Sequence, residues 1–189
     1  MKTNNGIDYE SLNKGVRKAI SVTGLADTHI RKAFQNAPTN KEPYASYRVS
    51  NVYQKARDGV FYRNKTDIDL NERKIGFRYV EVEINFFGEG ALDMASQVIH
   101  AMQSSELTEY FYKLNIGYID CQDVRDTTDL EMGAWEERGT ITPTFYLPSV
   151  YDAEVREIRT AEIDCEAISG NKKYEVKIYI KNKNQQQEA

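Results

Sequence analysis

The stretch Asn85–Met102, "NFFGEGALDMASQVIHAM", is the first place in the chain to look for chemistry. A strand-like run ends in Gly88-Glu89-Gly90 and an amphipathic helix begins at once, the layout of loops that cradle a phosphate on a helix N-terminus. The detail does not fit that chemistry. A dinucleotide fingerprint needs a third glycine three positions after the second, where Asp93 stands, and the Gly-Lys-Ser or Gly-Lys-Thr of a Walker loop is absent. Glu89 and Asp93 put negative charge where a pyrophosphate would sit. The stretch therefore predicts two glycines with positive φ joining a strand to a helix whose N-terminus welcomes those two acids.

Other residue types capable of chemistry are similarly unpatterned. His29 and His100 have no HxxxH or HxH spacing, and the acidic run Asp120, Asp123, Asp126, Asp129 and Glu131 lacks the glycine and terminal glutamate of a calcium loop. It reads as a solvated or interface-facing strip. Serine, histidine and aspartate occur without a GxSxG elbow. Cys121 and Cys165 lie far apart with no zinc spacing, and two buried thiols in a reducing compartment are expected. Phe77, Tyr79 and Phe87 could line an open sheet for RNA stacking, but Glu81 and Glu83 share that face and would repel phosphates. No catalytic, metal or cofactor site is expected.

Composition narrows the classes further. A formal charge of −4 and a pI near 5.4 oppose tight sequence-independent DNA binding, which depends on Lys and Arg displacing counterions. The 13 tyrosines among 189 residues point to wetted protein interfaces, because tyrosine buries a ring and keeps a polar end. The length suits one cored domain with an appendage. With no apolar h-region and no long apolar run, the chain is expected to be soluble and not exported by a signal peptide.

The elements that must position these residues follow from periodicity. Asp8 is predicted to cap a helix through "YESLNKGVRKAIS", with Leu12, Val16, Ala19 and Ile20 inward and a stop near Gly24. A strand is expected within "DTHIRKAFQNAPTNKEP", where Pro38 and Pro43 force a turn or extended chain. "YASYRVSNVY" reads as a strand with Tyr47, Val49 and Tyr53 on one side. Residues 54–71 read as a long loop around Val60-Phe61-Tyr62 that orders against a neighbour. "ERKIGFRYVEVEINFF" is the clearest strand, with Val80, Val82, Ile84 and Phe86 on its core face.

Two helices follow, one with Leu92, Ala95, Val98, Ile99 and Met102 inward, the other capped by Ser105 with Leu107, Tyr110, Phe111 and Leu114 inward. "YIDCQDV" is expected to pair with "GTITPTFYLP", in which Ile141, Phe145 and Leu147 alternate inward; Pro143 and Pro148 favour an edge or a strand end there. After Asp152, "AEIDCEAI" and "YEVKIYIK" predict an appended β-hairpin across "SGNK". The resulting expectation is an α+β fold at 1–151, a hairpin at 152–181 and a polar tail at 182–189. Val60, Phe61, Tyr62, Val176, Ile178 and Tyr179 are candidates for subunit or partner contacts. An exposed edge on "YEVKIYIK" would suit strand addition by a neighbour.

Taken in order, "EPYASYRV", "FRYVEVEINFFGEGALDMASQVIHAM" and "LNIGYIDCQDVRDTTDLEMGAWEERGTITPTFYL" resemble the phage neck or tail-terminator family over roughly residues 8–150. The matching positions are Pro43 and Tyr44; Arg78; Gly88 and Gly90; Val124, Arg125 and Asp126; and Trp135, Glu136, Glu137 and Arg138. Gly139, where a small apolar residue is more usual, the insertion from Lys55 to Asn71 and the hairpin after Asp152 depart from the pattern. The resemblance implies a mainly antiparallel sheet flanked by helices and a structural virion protein of the tail or neck, assembled in the host cytoplasm. It further implies a hexameric ring that caps the tail tube, ends its polymerisation and joins it to the head connector, with the sheath as a further partner if the tail contracts. DNA would pass through the lumen without specific binding, and Asp123, Asp126 and Asp129 are candidates for an acidic lumen. A head-completion or connector ring, or a small nucleotide-handling enzyme, are the alternatives.

Overall fold

The computed structural model describes residues 6–34, 43–64, 69–131, 133–156, 160–169 and 172–181; at 63–64, 69–71, 131, 154–156, 160–169 and 172–181 the description is of the backbone alone. The elements run α1 (Tyr9–Ser21), β1 (Ile30–Lys32), β2 (Tyr44–Tyr53), β3 (Gly59–Asn64), β4 (Asp69–Phe87), α2 (Ala91–Met102) and α3 (Ser105–Lys113). There follow β5 (Gly117–Cys121), β6 (Arg125–Asp126), β7 (Asp129–Glu131), β8 (Ala134–Glu136), β9 (Arg138–Ile141), β10 (Pro143–Arg156), β11 (Thr160–Ser169) and β12 (Lys172–Lys181). The fold is α+β. The main sheet is ordered β1-β2-β4-β10-β5, with β3 and β9 also pairing β4 and β6 pairing β9. Its described pairings are antiparallel apart from the short parallel match of β1 to β2.

Two compact units divide the chain. The first comprises Met1–Phe61 with Arg73–Tyr151 and the second Tyr62–Glu72 with Asp152–Ala189. Within the second unit β11 and β12 form a ten-pair antiparallel ribbon from Thr160↔Lys181 to Ser169↔Lys172. Its register sets Val176 and Ile178 opposite Cys165 and Ile163, whereas Tyr179 stands opposite Glu162, at the other parity. Only the backbone of these three interface candidates is described, and the tail at 182–189, Pro38 and the turn residues Gly170 and Asn171 lie outside the described residues.

The core of the first unit forms because β4 alternates strictly. Val80, Val82, Ile84 and Phe86 are all buried, each burial contributing about 1.5–3 kcal/mol. Against them lie Leu12, Val16, Ala19 and Ile20 of α1, Val98 and Met102 of α2, and Leu107 and Phe111 of α3. Phe111 meets Phe145 of β10 edge-on, with ring centroids 5.7 Å apart. Asp8 caps α1 as expected, accepting from the N–H groups of Glu10 and Ser11.

Several expectations are corrected. Residues 54–71 are not one long loop: β3 holds Val60, Phe61 and Tyr62, and β4 starts at Asp69 instead of Glu72. In β2 an extra residue, Ser50, slips the register between Val49 and Asn51, so Tyr53 no longer shares a side with Tyr47. Tyr47 is buried, while Tyr53 stacks on Tyr79 at 5.4 Å. Ser104, not Ser105, caps α3, its hydroxyl accepting from the Leu107 N–H. On α2, Ala91 and Met94 are buried where Leu92 was expected. "GTITPTFYLP" is two strands broken at Thr142, and β10 lies between β4 and β5, not at an edge. Pro143 opens β10, the strand-end placement that was the other expectation for it, and Pro148 lies beyond the last pair of β10 with β5, Tyr146↔Gly117.

Candidate interface surfaces

The glycine loop after β4 holds an anion, and that anion is internal. Gly88 (φ 92°) and Gly90 (φ 78°) adopt the left-handed conformation expected of them. The Glu137 carboxylate accepts from the backbone N–H of Gly90 at 3.0 Å and of Leu92 at 3.1 Å, and the Glu137 carbonyl accepts from the Gly88 N–H at 3.0 Å. A carboxylate 45 residues down the chain thus satisfies the Leu92 N–H in the first turn of α2 and the N–H of Gly90 just before it, and neither Glu89 nor Asp93 does so. The layout of a phosphate loop is real, and its seat is occupied. Only a pairing of distant segments could have revealed Glu137, since nothing local marks it.

Next to Glu137 the chain presses directly on α2. A Cβ on Gly139 would stand 2.8 Å from the Ala91 carbonyl oxygen and 3.2 Å from the Leu92 Cα. Backbone contact at that distance is the physical reason glycine stands at 139.

Preceding this lock, β7 and β8 form a small hairpin with Asp129↔Glu136, Leu130↔Trp135 and Glu131↔Ala134 as its pairs. Arg138 pins the base, donating to Glu136 at 2.8 Å, standing 4.0 Å from the Asp129 carboxylate and covering the Phe87 ring at 5.4 Å. Trp135, the chain's sole tryptophan, is 75% exposed, and its cross-strand neighbour Leu130 is 54% exposed. The pinned base holds this exposed indole in a fixed place on the surface. The sequence reading gave Trp135 no role of its own.

The sheet face away from the helices carries a second cluster. Phe77 stacks on Tyr146 at 4.5 Å, Tyr146 meets Tyr79 edge-on at 5.5 Å, and the Lys55 ammonium lies 4.4 Å from the Tyr79 ring centroid. Beside them an apolar hollow of about 340 Å³ opens, lined by Phe77, Tyr112, Ile116, Tyr146 and Pro148 among others. Farther along the same face Arg48 grips Glu83 through two 3.0 Å bonds, Asn85 donates to Glu83, and the Thr140 hydroxyl donates to Asn85. The arginine beside it holds the Glu83 carboxyl below the usual range.

Val60, Phe61 and Tyr62 are all exposed in β3, on alternating sides of the strand. Near them Arg78 forms a two-pronged ion pair with Asp58, at 2.7 and 2.6 Å, lowering the Asp58 pKa through that hydrogen bonding. Asp123, Asp126 and Asp129 are exposed, on the β5–β6 connection, β6 and β7 respectively. Asp126 accepts from the Thr128 N–H, with the Thr128 hydroxyl as the leading cause of its lowered pKa, and Asp129 accepts from the Leu130 N–H.

Cys121 is half-buried and free, and burial pushes its thiol up to about 11. Among the described residues no three His, Cys, Asp or Glu gather as metal ligands, and no helix is long and apolar enough to cross a membrane.

The scaffold is α+β, its glycine loop at 88–90 is filled by its own Glu137, and Phe61, Tyr112 and Trp135 lie exposed on it. The model of the family described as phage neck terminator protein matches residues 10–171, and the chain belongs to that family. It is thus a structural protein of the phage neck. No curated protein matches the chain.

Proposed function

We propose that the chain forms a hexameric ring on the last ring of the tail tube, ends tube polymerisation there and offers a surface to the head connector, with the sheath as an added partner if the tail contracts. The observation that carries this is the family match over residues 10–171. The action is geometric. A closed ring needs two different adhesive surfaces per subunit, because its interfaces are heterologous. Exposed Val60, Phe61 and Tyr62 support one such surface, and the β11–β12 ribbon with Val176, Ile178 and Tyr179 is offered as another contact for a neighbour or the sheath.

Asp123, Asp126 and Asp129 are proposed to face the lumen, where carboxylates repel DNA phosphates and let the genome slide without sticking. The particle is assembled in the host cytoplasm and the ring stays in the virion.

The test is electron microscopy of particles made when the gene is disrupted. Filled heads beside detached tails with tubes of irregular length are expected. Normally joined virions would overturn the proposal, and joined particles that leak DNA would assign the chain to a connector ring instead.

A further inference from the structure

We propose that neighbouring copies join through the β11–β12 ribbon, β12 of one copy pairing antiparallel with β11 of the next, the lysine row of one strand against the acid row of the other. This rests on the ring reading above and gives it a specific interface. Among the described strands β11 and β12 pair only with each other, over ten consecutive pairs without a register shift. In an antiparallel pair, alternate residues of each strand direct their N–H and C=O groups away from the partner. Each outer edge of the ribbon is therefore a template for a further strand.

The sheet edges differ in how they are finished. The main sheet ends in β1, three residues long, and in β5, five residues long with a register slip opposite Thr144 and Phe145. Short and bulged edges resist strand addition. The ribbon has neither device: its strands are ten residues each, and Thr160–Ser169 and Lys172–Lys181 hold no Pro or Gly. Parity supplies a reason to add strands. Taken every second residue, the four pairs from Ala161↔Ile180 to Ala167↔Tyr174 hold no charged residue. A two-stranded ribbon is marginal in water by itself, and three or more strands with an apolar face are what make a sheet stable.

The other parity points to a second copy as the occupant. On β11 it holds Glu162, Asp164 and Glu166 and no base; on β12 it holds Lys173, Lys177 and Lys181 with one acid, Glu175. Within the ribbon's own register only Asp164 stands opposite a lysine, Lys177, while Glu166 stands opposite Glu175. Pairing β12 with β11 of the next copy sets the lysine row beside the acid row. Pairing β11 with β11, or β12 with β12, sets like against like, which destabilises a cross-strand match. Equal length also fits the two edges to each other. Rotation about an axis along the strands brings β12 of one copy beside β11 of its neighbour in antiparallel sense, whereas like-with-like antiparallel pairing needs a two-fold axis and stops at two copies. The heterologous joint always leaves a free β11 edge and a free β12 edge, so it repeats until a ring closes.

Hydrogen exchange read by mass spectrometry tests the joint on the purified full chain, once diluted to monomer and once concentrated to the assembly that sedimentation velocity defines. Peptides of both β11 and β12 are expected to exchange at least about tenfold more slowly in the assembly, which is about 1.4 kcal/mol, the size of one net hydrogen bond. Charge reversal tests the pairing rule. Lys173→Glu with Lys181→Glu makes both strands acidic on balance, and Glu162→Lys with Glu166→Lys makes both basic; neither sets like charges opposite each other within the ribbon. Each double variant is expected to assemble at least about tenfold more weakly at low salt, and an equimolar mixture to recover assembly in rings that alternate the two. Exchange is read on the unaltered chain, so it decides even where a variant misfolds. Assembly that leaves exchange in both strands unchanged overturns the joint and spares the ring, and folded variants that do not recover on mixing overturn the joint as well. Protection of one strand alone, in dimers, overturns the heterologous pairing and the ring. A wild type that stays monomeric at every attainable concentration overturns ring and joint together.

Discussion

Replacing Glu137 tests the internal anion directly. Its carboxylate receives two backbone N–H bonds at the N-terminus of α2, at 3.0 Å from the cap residue Gly90 and at 3.1 Å from Leu92 in the first turn. Hydrogen bonds to a charged group are worth about 1.5–3 kcal/mol each, and the helix dipole adds about 0.3–1 kcal/mol. The site is part-buried, so water regains some of the freed donors in the variant, and Glu137→Ala should cost about 2–4 kcal/mol. Glu137→Gln keeps one acceptor oxygen and loses the charge, and should cost about 1–2 kcal/mol. Urea unfolding followed by far-UV circular dichroism, at a concentration where wild type is unassembled, reads both. With a slope of about 2 kcal/mol/M, the alanine midpoint should fall by about 1–2 M. An alanine variant within about 0.5 kcal/mol of wild type, or a glutamine variant worse than alanine, would refute the cap, since either result means the carboxylate does not hold the loop.

Gly139→Ala should destabilise by about 1–3 kcal/mol, because its Cβ would meet the Ala91 carbonyl at 2.8 Å and only backbone could yield; thermal unfolding measures it. Asp58 has a folded pKa below its unfolded value, so the stability it adds through Arg78 is fully present above about pH 4 and is lost as pH falls through the lower folded value. Asp58→Asn should therefore lower Tm by about 2–6 °C at pH 7 and flatten the acid limb of the Tm-versus-pH curve. Gly76→Ala should have a similar effect by driving a methyl into the Asp58 carboxylate. Trp135→Ala should leave the stability of the unassembled chain within about 0.5 kcal/mol, since a 75% exposed ring has little packing to lose, and urea unfolding at low concentration checks this.

How much of this was legible in the sequence depends on how local each cause is. The inward face of β4 and the caps and stripes of α1 could be read from period and residue type alone, because Val80, Val82, Ile84 and Phe86 sit at strict alternation and Asp8 stands beside its own donors. Glycine chemistry at 88 and 90 was equally local. Parity failed in β2 because a single bulge residue, Ser50, inverts every position after it, and a polar residue in an exposed strand gives no warning. The 54–71 stretch misled because charged residues flank the short Val60-Phe61-Tyr62 run, so neither β3 nor the start of β4 at Asp69 shows an alternating apolar pattern in its sequence. Glu137 and the exposure of Trp135 are tertiary facts: the first needs the β4–β9 pairing, and the second needs to be seen uncovered.

In the segment Trp135-Glu136-Glu137-Arg138-Gly139 four residues hold the fold together and one is left to solvent. Trp135 points its ring to solvent, while Glu136 and Arg138 close an ion pair at 2.7 Å that fixes the hairpin carrying it. Glu137 caps α2 and Gly139 admits the α2 backbone against β9. Every residue but the tryptophan is engaged in holding the tip of β4, α2 and the hairpin together. This predicts an order of effects on stability: loss of Trp135 should leave the fold as stable as wild type, because its ring is 75% exposed, whereas loss of Glu137 should loosen the fold, because its carboxylate holds the N-terminus of α2. Equal loss of stability in the two variants would contradict this division.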